Sequence, residues 1–307
     1  MLSRNKSMGF IKYHHVERYG MDEVQDIELG ECYVFPKIDG TCSSVWWMDN
    51  SVDPMPACGS RNRALTAVSD NAGFYKWSMD QENIWDILRE NETWHLYGEW
   101  LVPHTLKTYR DEAWRRFWVF DVFCTEKNRL LPFDVYSEVL EYHKLDYIQP
   151  LCIVKDGSEE TFRKIVDQNT FLIKDGAGAG EGVVIKNYSW ENKYGRQTWA
   201  KIVRNEFKEE NRKAFGINIV TGKKQIEAEI ASTFITPEFV AKTRAKIELE
   251  TKERGILIPR LLQTCYHDLV TEEIWDIIKK HKNLTINFNT LQKHVVYQVK
   301  KLSGDLF

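Results

Sequence analysis

The stretch "YVFPKIDGTCSS" (residues 33–44) carries charged side chains at the end of an apolar run. Its first residues have the composition of a buried strand, and Lys37, Asp39 and Gly40 follow at the predicted strand end. Two interpretations are open: Lys37 and Asp39 form an ordinary ion pair before a glycine turn, or Lys37 is a nucleophile. The short pattern alone favours the ion pair, because charged pairs at strand ends are common.

The composition is that of a folded protein rather than a disordered chain. The 307 residues suit one large domain or two ordinary ones, and 43% hydrophobic and 13% aromatic residues supply a substantial core. The formal net charge is −3, whereas proteins that coat nucleic acid non-specifically are usually basic. Any nucleic acid would therefore bind at a local patch.

The cysteines and the N-terminus indicate a reducing compartment. No C-x-x-C pair occurs among the six cysteines, which argues against a zinc ribbon and against a disulfide framework. Reduced thiols in the cytosol are the simpler interpretation. The start "MLSRNKSMGF" has no apolar stretch for a signal peptide, and no run approaches the roughly 20 apolar residues of a membrane helix. We expect a cytoplasmic protein with no membrane partner.

The first two thirds of the chain predict a mixed fold. Aromatic and β-branched runs of strand length recur over residues 1–210, among them "CYVF", "SSVWWM", "WHLYGEW", "RFWVFDVF" and "GVVIKNY". Helical spacing of apolar residues appears at 71–91, 133–145 and 159–172. Strands in succession with inserted helices predict an α+β domain of antiparallel sheets.

The last third predicts helices alone. The segment 236–255 opens on Thr-Pro and closes on a glycine, and three further segments with helical spacing follow it. We expect an all-helical domain over 227–307, after a first domain over 1–226 and a connector at 216–225. No run of five short strands that could build an OB-fold follows residue 210.

Five further segments bear on Lys37. They are "GSRNR" (59–63), "LYGEW" (96–100), "FWVFDVF" (117–123), "GEGVVIK" (180–186) and "WAKIVRNEF" (199–207). Each alone has a structural explanation: Glu99 pairs with a lysine, Phe120 is a core residue, and "GAGAGEG" (176–182) is a flexible loop. In this order, the segments resemble the covalent nucleotidyltransferase superfamily of RNA ligases, DNA ligases and messenger-RNA capping enzymes. Their agreement over residues 37–201 favours Lys37 as a nucleophile.

Two outer segments narrow the resemblance. "FIKYHHVE" (10–17) and "ITPEFVAKTRAKIE" (235–248) are similar to the T4 RNA ligase 2 type. This resemblance implies a nucleotidyltransferase (ATP-grasp-like) domain of antiparallel sheets with flanking helices over 1–226, then a small all-helical RNA-binding domain over 227–307. The P-loop and dinucleotide patterns are not met, since "TGKK" (221–224) lacks the required first glycine and final hydroxyl, and "GAGAGEG" has the wrong glycine spacing.

The resemblance implies a three-step, ATP-dependent RNA ligation. Lys37 attacks the α-phosphorus of ATP and becomes lysyl-AMP, the AMP moves to an RNA 5′-phosphate, and an RNA 3′-hydroxyl then displaces it. The implied partner is RNA with such ends, as a nicked duplex or a tRNA-like break. The implied role is RNA repair by a monomer, and family analogy associates compact ligases of this type with bacteriophage genomes. The sequence leaves the natural RNA substrate open.

The resemblance also assigns roles to site residues. Lys186 and Lys201 would lower the pKa of Lys37 and neutralise phosphates, because a lysine attacks only when neutral. Phe120 would stack on adenine. Glu99 would accept from a ribose hydroxyl. The remaining nucleotide contacts implied are Ile38, Asp39, Gly40 and Arg61.

Metal ligands and three further candidates complete the set. Glu181 and Asp121 would hold Mg²⁺ or Mn²⁺, which favour oxygen ligands. Arg63, Arg204 and Tyr13 are further candidates for the same pocket.

The last strand departs from the family pattern of lysine-x-lysine. Here "AKIVR" places Val203 at the second lysine's position and Arg204 one residue later. Regular alternation would put Arg204 on the opposite face from Lys201, whereas a bulge would bring it back. We favour a bulge, because bulges recur beside active sites.

Two other functions remain as alternatives. A DNA ligase or a GTP-using capping enzyme would use the same nucleophile, but the helical C-terminal region argues against both. A catalytically inactive RNA-binding homologue is the non-enzymatic alternative, and the intact motifs around Lys37, Glu99 and Lys186 argue against it.

Overall fold

The computed structural model describes residues 9–48, 55–103, 108–204, 226–251, 253–280 and 286–307. The described residues up to Arg204 form one compact unit, and those from Ile226 onward form a second. The predicted connector at 216–225 lies outside the described residues. Within the described ranges, the helices are all too short or too polar to cross a membrane.

Two five-stranded sheets form the first unit. The strands are β1 (Glu17–Arg18), β2 (Glu31–Lys37), β3 (Thr41–Met48), β4 (Met55–Ser60), β5 (Trp94–Leu101), β6 (Arg116–Cys124), β7 (Arg129–Leu130), β8 (Cys152–Lys155), β9 (Gly182–Lys186) and β10 (Ala200–Val203). One sheet has the strand order β1-β10-β9-β2-β8 and the other β4-β3-β5-β6-β7. The strand pairs are antiparallel except for parallel β1 and β10.

Among the described residues, four α-helices flank these sheets. They are α1 (Phe74–Met79), α2 (Glu82–Glu90), α3 (Phe133–Tyr142) and α4 (Glu159–Gln168). The helical stretch expected over 71–91 is two helices, because Gln81 is extended (φ −95°, ψ 97°) and precedes the first residue of α2. Ser158 caps α4 by accepting from the backbone N–H of Thr161. This architecture confirms the predicted α+β class with antiparallel sheets and flanking helices.

Strand alternation separates the two faces of the first sheet. Val34, Val183, Ile185 and Ile202 share a buried cluster with Phe162 and Val166 of α4. The residues that alternate with these in the strands point to the other face of the sheet. In the register, Lys37 pairs with Gly182, Tyr33 with Lys186, and Lys201 with Val184. Because successive residues of a strand point to opposite faces, Lys37, Lys186 and Lys201 lie on one face. This is called the lysine face below.

The regular secondary structure of the second unit, over its described residues, is helical. Its helices are α5 (Ile226–Phe234), α6 (Pro237–Glu248), α7 (Arg254–Asp268), α8 (Ile274–Lys280) and α9 (Phe288–Leu302). Thr236 caps α6, as its side chain accepts from Phe239 N–H at 3.2 Å. The expectation of one helix reaching Gly255 is wrong, because Glu253 is extended and directly precedes α7, which contains Gly255. The expected small helical C-terminal region is confirmed.

Candidate active site

Lys37 meets Glu181 at one end of the lysine face. Lys37 ends β2 and Glu181 precedes β9, so their pairing brings Lys37 Nζ to 2.8 Å from Glu181 Oε2. Their side chains are 26% and 18% exposed, which leaves the pair accessible to a ligand. A Cβ at Gly182 would lie 2.1 Å from the Ile202 carbonyl oxygen, so this close strand approach requires glycine.

The pKa of Lys37 is raised, contrary to expectation. Burial of the ammonium by itself lowers the pKa of Lys37, but Glu181, Glu99 and Asp39 outweigh it and raise the pKa well above the ordinary value. The predicted lowering of the Lys37 pKa by Lys186 and Lys201 is therefore wrong, because carboxylates dominate the field at Lys37. Lys37 rests as a protonated ammonium.

The turn after Lys37 is held by two side chains from elsewhere in the fold. The backbone N–H of Asp39 donates to Tyr109 Oη at 2.6 Å, and the N–H of Gly40 donates to Glu99 Oε1 at 3.0 Å. A Cβ on Gly40 would lie 2.6 Å from the Trp100 carbonyl oxygen, so only glycine fits there. Ile38 is buried beneath the turn. The turn is thus set by contacts as well as by its own sequence.

The structure associates Arg61 with this pocket, whereas Arg63 stays a prediction. Burial and then Glu99 raise the pKa of the Cys42 thiol to about 12, while Arg61 and Lys37 oppose them. Arg61 and Lys37 therefore both lower the pKa of the same thiol. The contacts described for Arg63 are made by its backbone carbonyl, which accepts from the N–H of Ser60 at 2.9 Å.

A bulge occurs at Phe120 in the second sheet. Tyr97 pairs with Asp121 and Gly98 with Val119, so Phe120 is the extra residue of β6. The carbonyl oxygen of Phe120 accepts from Tyr136 Oη at 3.0 Å and from Lys186 Nζ at 2.5 Å. A bulge beside the site was expected, but its predicted place was wrong.

Asp121 is the centre of a buried network with Lys186, Tyr13 and Trp199. Its carboxylate lies 2.9 Å from Lys186 Nζ and accepts from Tyr13 Oη at 2.5 Å and Trp199 Nε1 at 3.0 Å. The side chains of Lys186 and Asp121 are 2% and 0% exposed. Burial lowers the pKa of Lys186, while Asp121 opposes the shift. This contradicts the prediction of Asp121 as a metal ligand, because its oxygens are enclosed and already engaged.

The last strand is regular at Arg204. β10 pairs with β9 without a register shift to Val203, and the N–H of Arg204 donates to the Glu181 carbonyl at 2.8 Å. Arg204 Nη1 donates to the Ala179 carbonyl, and Arg204 Nε lies 4.0 Å from Asp167 of α4. Arg204 therefore lies on the α4 side, away from the lysine face, and the expected bulge there is wrong.

A divalent cation would have few direct protein ligands here. Within the described residues, no group of three or more His, Cys, Asp or Glu side chains is arranged to hold a metal. Glu181 supplies an accessible carboxylate, and Glu99 and Asp39 add negative charge close to Lys37. Such a donor set fits Mg²⁺ or Mn²⁺ that retains most of its waters.

Sequence reasoning missed three residues that shape the site. Tyr109 supports the turn, Tyr136 holds the Phe120 carbonyl, and Trp199 donates to Asp121. Trp199 had a usable signal, because it precedes Lys201 by two residues and so shares its face. Tyr109 and Tyr136 had none, since each reaches the site through tertiary packing.

Comparison with known proteins gives one family. A family model described as RNA ligase matches residues 30–203. A search of curated proteins found no match.

Solved structures show a similar fold. A Naegleria gruberi RNA ligase with PPi has a TM-score of 0.50 at 17% identity, covering 66% of this chain and 58% of that one. A mutant of that ligase with ATP and Mn has a TM-score of 0.51 at 17% identity, covering 65% and 58%. An archaeal ATP-dependent RNA ligase has a TM-score of 0.50 at 14% identity, covering 95% and 65%. The chain spans less than two thirds of the length of each.

Proposed function

The chain belongs to the RNA ligase family, and from that premise we propose that it is an ATP-dependent RNA ligase of the T4 RNA ligase 2 type. It joins RNA 3′-hydroxyl and 5′-phosphate ends through lysyl-AMP and an adenylylated RNA. The observation that carries this proposal is Lys37 Nζ, partly exposed and 2.8 Å from Glu181, on the same sheet face as Lys186 and Lys201.

In the first step, Lys37 Nζ attacks the α-phosphorus of ATP. A nitrogen–phosphorus bond forms, the bond to the bridging oxygen breaks, and pyrophosphate leaves. The ammonium must first lose a proton to solvent, since only the neutral amine is a nucleophile, and the nitrogen loses a second proton to solvent as the new bond forms. Because Glu181, Glu99 and Asp39 raise the pKa of Lys37, formation of the neutral amine requires that their field be offset.

Glu181 would hold Mg²⁺ or Mn²⁺ directly or through water. When bound, such a cation supplies positive charge that neutralises the carboxylates and phosphates and favours the neutral amine. The Naegleria gruberi mutant solved with ATP and Mn supports this choice of nucleotide and metal class.

The nucleotide lies between the two sheets in this proposal. Glu99 accepts from the ribose, Arg61 contacts a phosphate, and Phe120 stacks on adenine. Lys201 supplies the cation for the phosphates. Asp121 already neutralises the charge of Lys186. Lys186 therefore acts indirectly in this proposal, by holding the carbonyl of Phe120 at 2.5 Å.

The later steps use the same lysine as a leaving group. An oxygen of the RNA 5′-phosphate attacks the AMP phosphorus. As the bond to Lys37 Nζ breaks, the nitrogen takes up a proton from solvent and leaves as the neutral amine. The RNA 3′-hydroxyl then attacks the activated 5′-phosphorus, a phosphodiester forms, AMP leaves, and the hydroxyl proton passes to solvent. The substrate is RNA in need of repair.

The two predicted domains divide this work. Residues 1–226 carry the nucleotide chemistry, and the helical residues 227–307 bind RNA. A chain that ends at residue 226 should still form the AMP adduct but seal RNA poorly.

A ligation panel tests the proposal. Nicked RNA duplexes, broken tRNA-like loops, single-stranded RNA and nicked DNA are incubated with ATP or GTP and Mg²⁺. We expect ATP-dependent sealing of at least one RNA substrate with 5′-phosphate and 3′-hydroxyl ends. Sealing of DNA alone, or guanylylation instead of adenylylation, would establish one of the alternatives, and no nucleotide transfer at all would indicate an inactive homologue.

A further inference from the structure

Tyr109 is fixed rigidly beside the turn that follows Lys37. Residues 108–110 pair with 172–174: the N–H of Arg110 donates to the Leu172 carbonyl at 2.8 Å, and that of Lys174 to the Thr108 carbonyl at 2.9 Å. The Tyr109 ring is 3% exposed, and Trp114 packs against it edge-on at 5.3 Å. The hydroxyl therefore has one well-defined position.

That position is within the charged centre of the site. Tyr109 Oη accepts from the N–H of Asp39 at 2.6 Å. Burial raises the pKa of Tyr109 well above its ordinary value, and Asp39, Glu181 and Glu99 add to the shift. The phenol is thus neutral and close to the same carboxylates that surround Lys37.

Tyr109 and Glu99, which both accept from backbone N–H groups of the turn, differ in their other proposed roles. Glu99 accepts from Gly40 N–H, but it is also the group proposed to bind the ribose, so a bound nucleotide competes for its oxygens. Tyr109 has no nucleotide contact in the proposed function, so a bound nucleotide does not compete for its hydroxyl. Its hydrogen bond lies two residues from the nucleophile, at the point where β2 gives way to β3.

We propose that Tyr109 is a positioning residue for Lys37: its hydroxyl fixes the Asp39 backbone so that Lys37 Nζ lies in line with the bond to be broken in lysyl-AMP formation. This inference rests on the proposed function. Loss of the hydroxyl leaves the partly buried N–H of Asp39 without this acceptor and loosens the turn, while the ring still fills its space. Small misplacements of a nucleophile have large effects on rate.

Tyr109→Phe tests this role in the full-length protein. Single-turnover formation of the AMP adduct should slow about tenfold at saturating ATP, with the apparent KM for ATP within about twofold of the wild-type value. Sealing of pre-adenylylated RNA should stay within about twofold, because Lys37 is not the nucleophile in that step. Tyr147→Phe is the matched control, since it removes a hydroxyl that lies 3.4 Å from Glu141 on an exposed surface.

The outcomes separate this inference from the proposed function. A wild-type adenylylation rate in Tyr109→Phe overturns the positioning role and leaves the ligase proposal intact. An equal loss in adenylylation and in sealing of pre-adenylylated RNA, or a loss confined to KM, also overturns it, because either would indicate a general structural role or nucleotide binding. If the wild-type protein forms no AMP adduct, the proposed function itself fails.

Discussion

Lys37 and Lys186 lie on the same face of one sheet, but their surroundings are opposite. Lys37 is partly exposed, and its acidic neighbours raise its pKa. Lys186 is sealed against Asp121, and burial lowers its pKa. Lysines on a shared face thus have different surroundings, since Lys37 is accessible to a ligand and Lys186 is enclosed beside the Phe120 carbonyl.

The pairing of each lysine explains this division. Glu181 directly precedes β9, and its side chain is 18% exposed, so a ligand can reach its carboxylate. Asp121 lies inside the second sheet, where Tyr13 and Trp199 hold it in place. An ion pair that can open suits a nucleophile, and an enclosed pair suits a support.

The largest effect is expected from breaking the buried ion pair between Lys186 and Asp121. Lys186→Met leaves the Asp121 carboxylate charged and uncompensated, which should lower the free energy of unfolding by roughly 3–5 kcal/mol. Urea unfolding measures the loss. Lys174→Met is the control: that exposed lysine pairs with Asp111 at 2.9 Å, and its loss should cost at most about 1 kcal/mol. Equal stability of the two variants would contradict the assignment of Lys186 as a support.

A second test changes the accessible ion pair of Lys37 and Glu181 and measures the pH dependence of adenylylation. The pH profile of kcat/KM reports groups of the free enzyme, and the raised pKa of Lys37 predicts adenylylation that keeps rising with pH. Glu181→Gln removes the carboxylate that most strongly favours the ammonium form of Lys37. The pKa of Lys37 therefore falls, and the rise of kcat/KM moves to lower pH. The maximal rate should also fall, by roughly ten- to a hundred-fold, through loss of a charged contact.

Glu159→Gln on the surface of α4 is the control for this change, since Glu159 pairs only with the exposed Arg163 in the described contacts of its side chain. A Glu181→Gln profile that coincides with that of the wild type would show that Glu181 does not set the protonation of Lys37.

The smallest effect is expected on the far side of the same sheet. Arg204→Ala removes a side chain directed towards α4 and should change the adenylylation rate by less than about fivefold, as expected for contacts worth at most about 1 kcal/mol. Lys201→Ala, on the lysine face, should be severe. Equal losses in the two variants would contradict the regular register of β10.

Much of the first sheet could be predicted because strand alternation is a local rule. It places Lys37, Lys186 and Lys201 on one face once the strands are recognised, and it also placed Arg204 correctly until a bulge was invoked. Asp121 could not be assigned in the same way, because an aspartate within an aromatic strand has the same sequence whether its partner is a metal or a distant lysine. The bulge at Phe120 adds a single residue and leaves no sequence signal.

The pKa of Lys37 could not be predicted either. The sequence offered cations for the site, but the charges that dominate are carboxylates from three separate segments, Asp39, Glu99 and Glu181. Which charges lie closest is a property of tertiary packing. The same reason explains why Tyr109, in a segment without periodicity, escaped notice.

Mapping the covalent AMP tests the central claim most directly. The protein is incubated with labelled ATP and Mg²⁺, quenched in acid, digested, and the modified peptide is identified by mass spectrometry, with Lys37→Ala treated in parallel. The account predicts an acid-stable AMP on Lys37 and none in Lys37→Ala. An AMP on Lys186, Lys201 or any other residue, or an adduct that persists in Lys37→Ala, would contradict it.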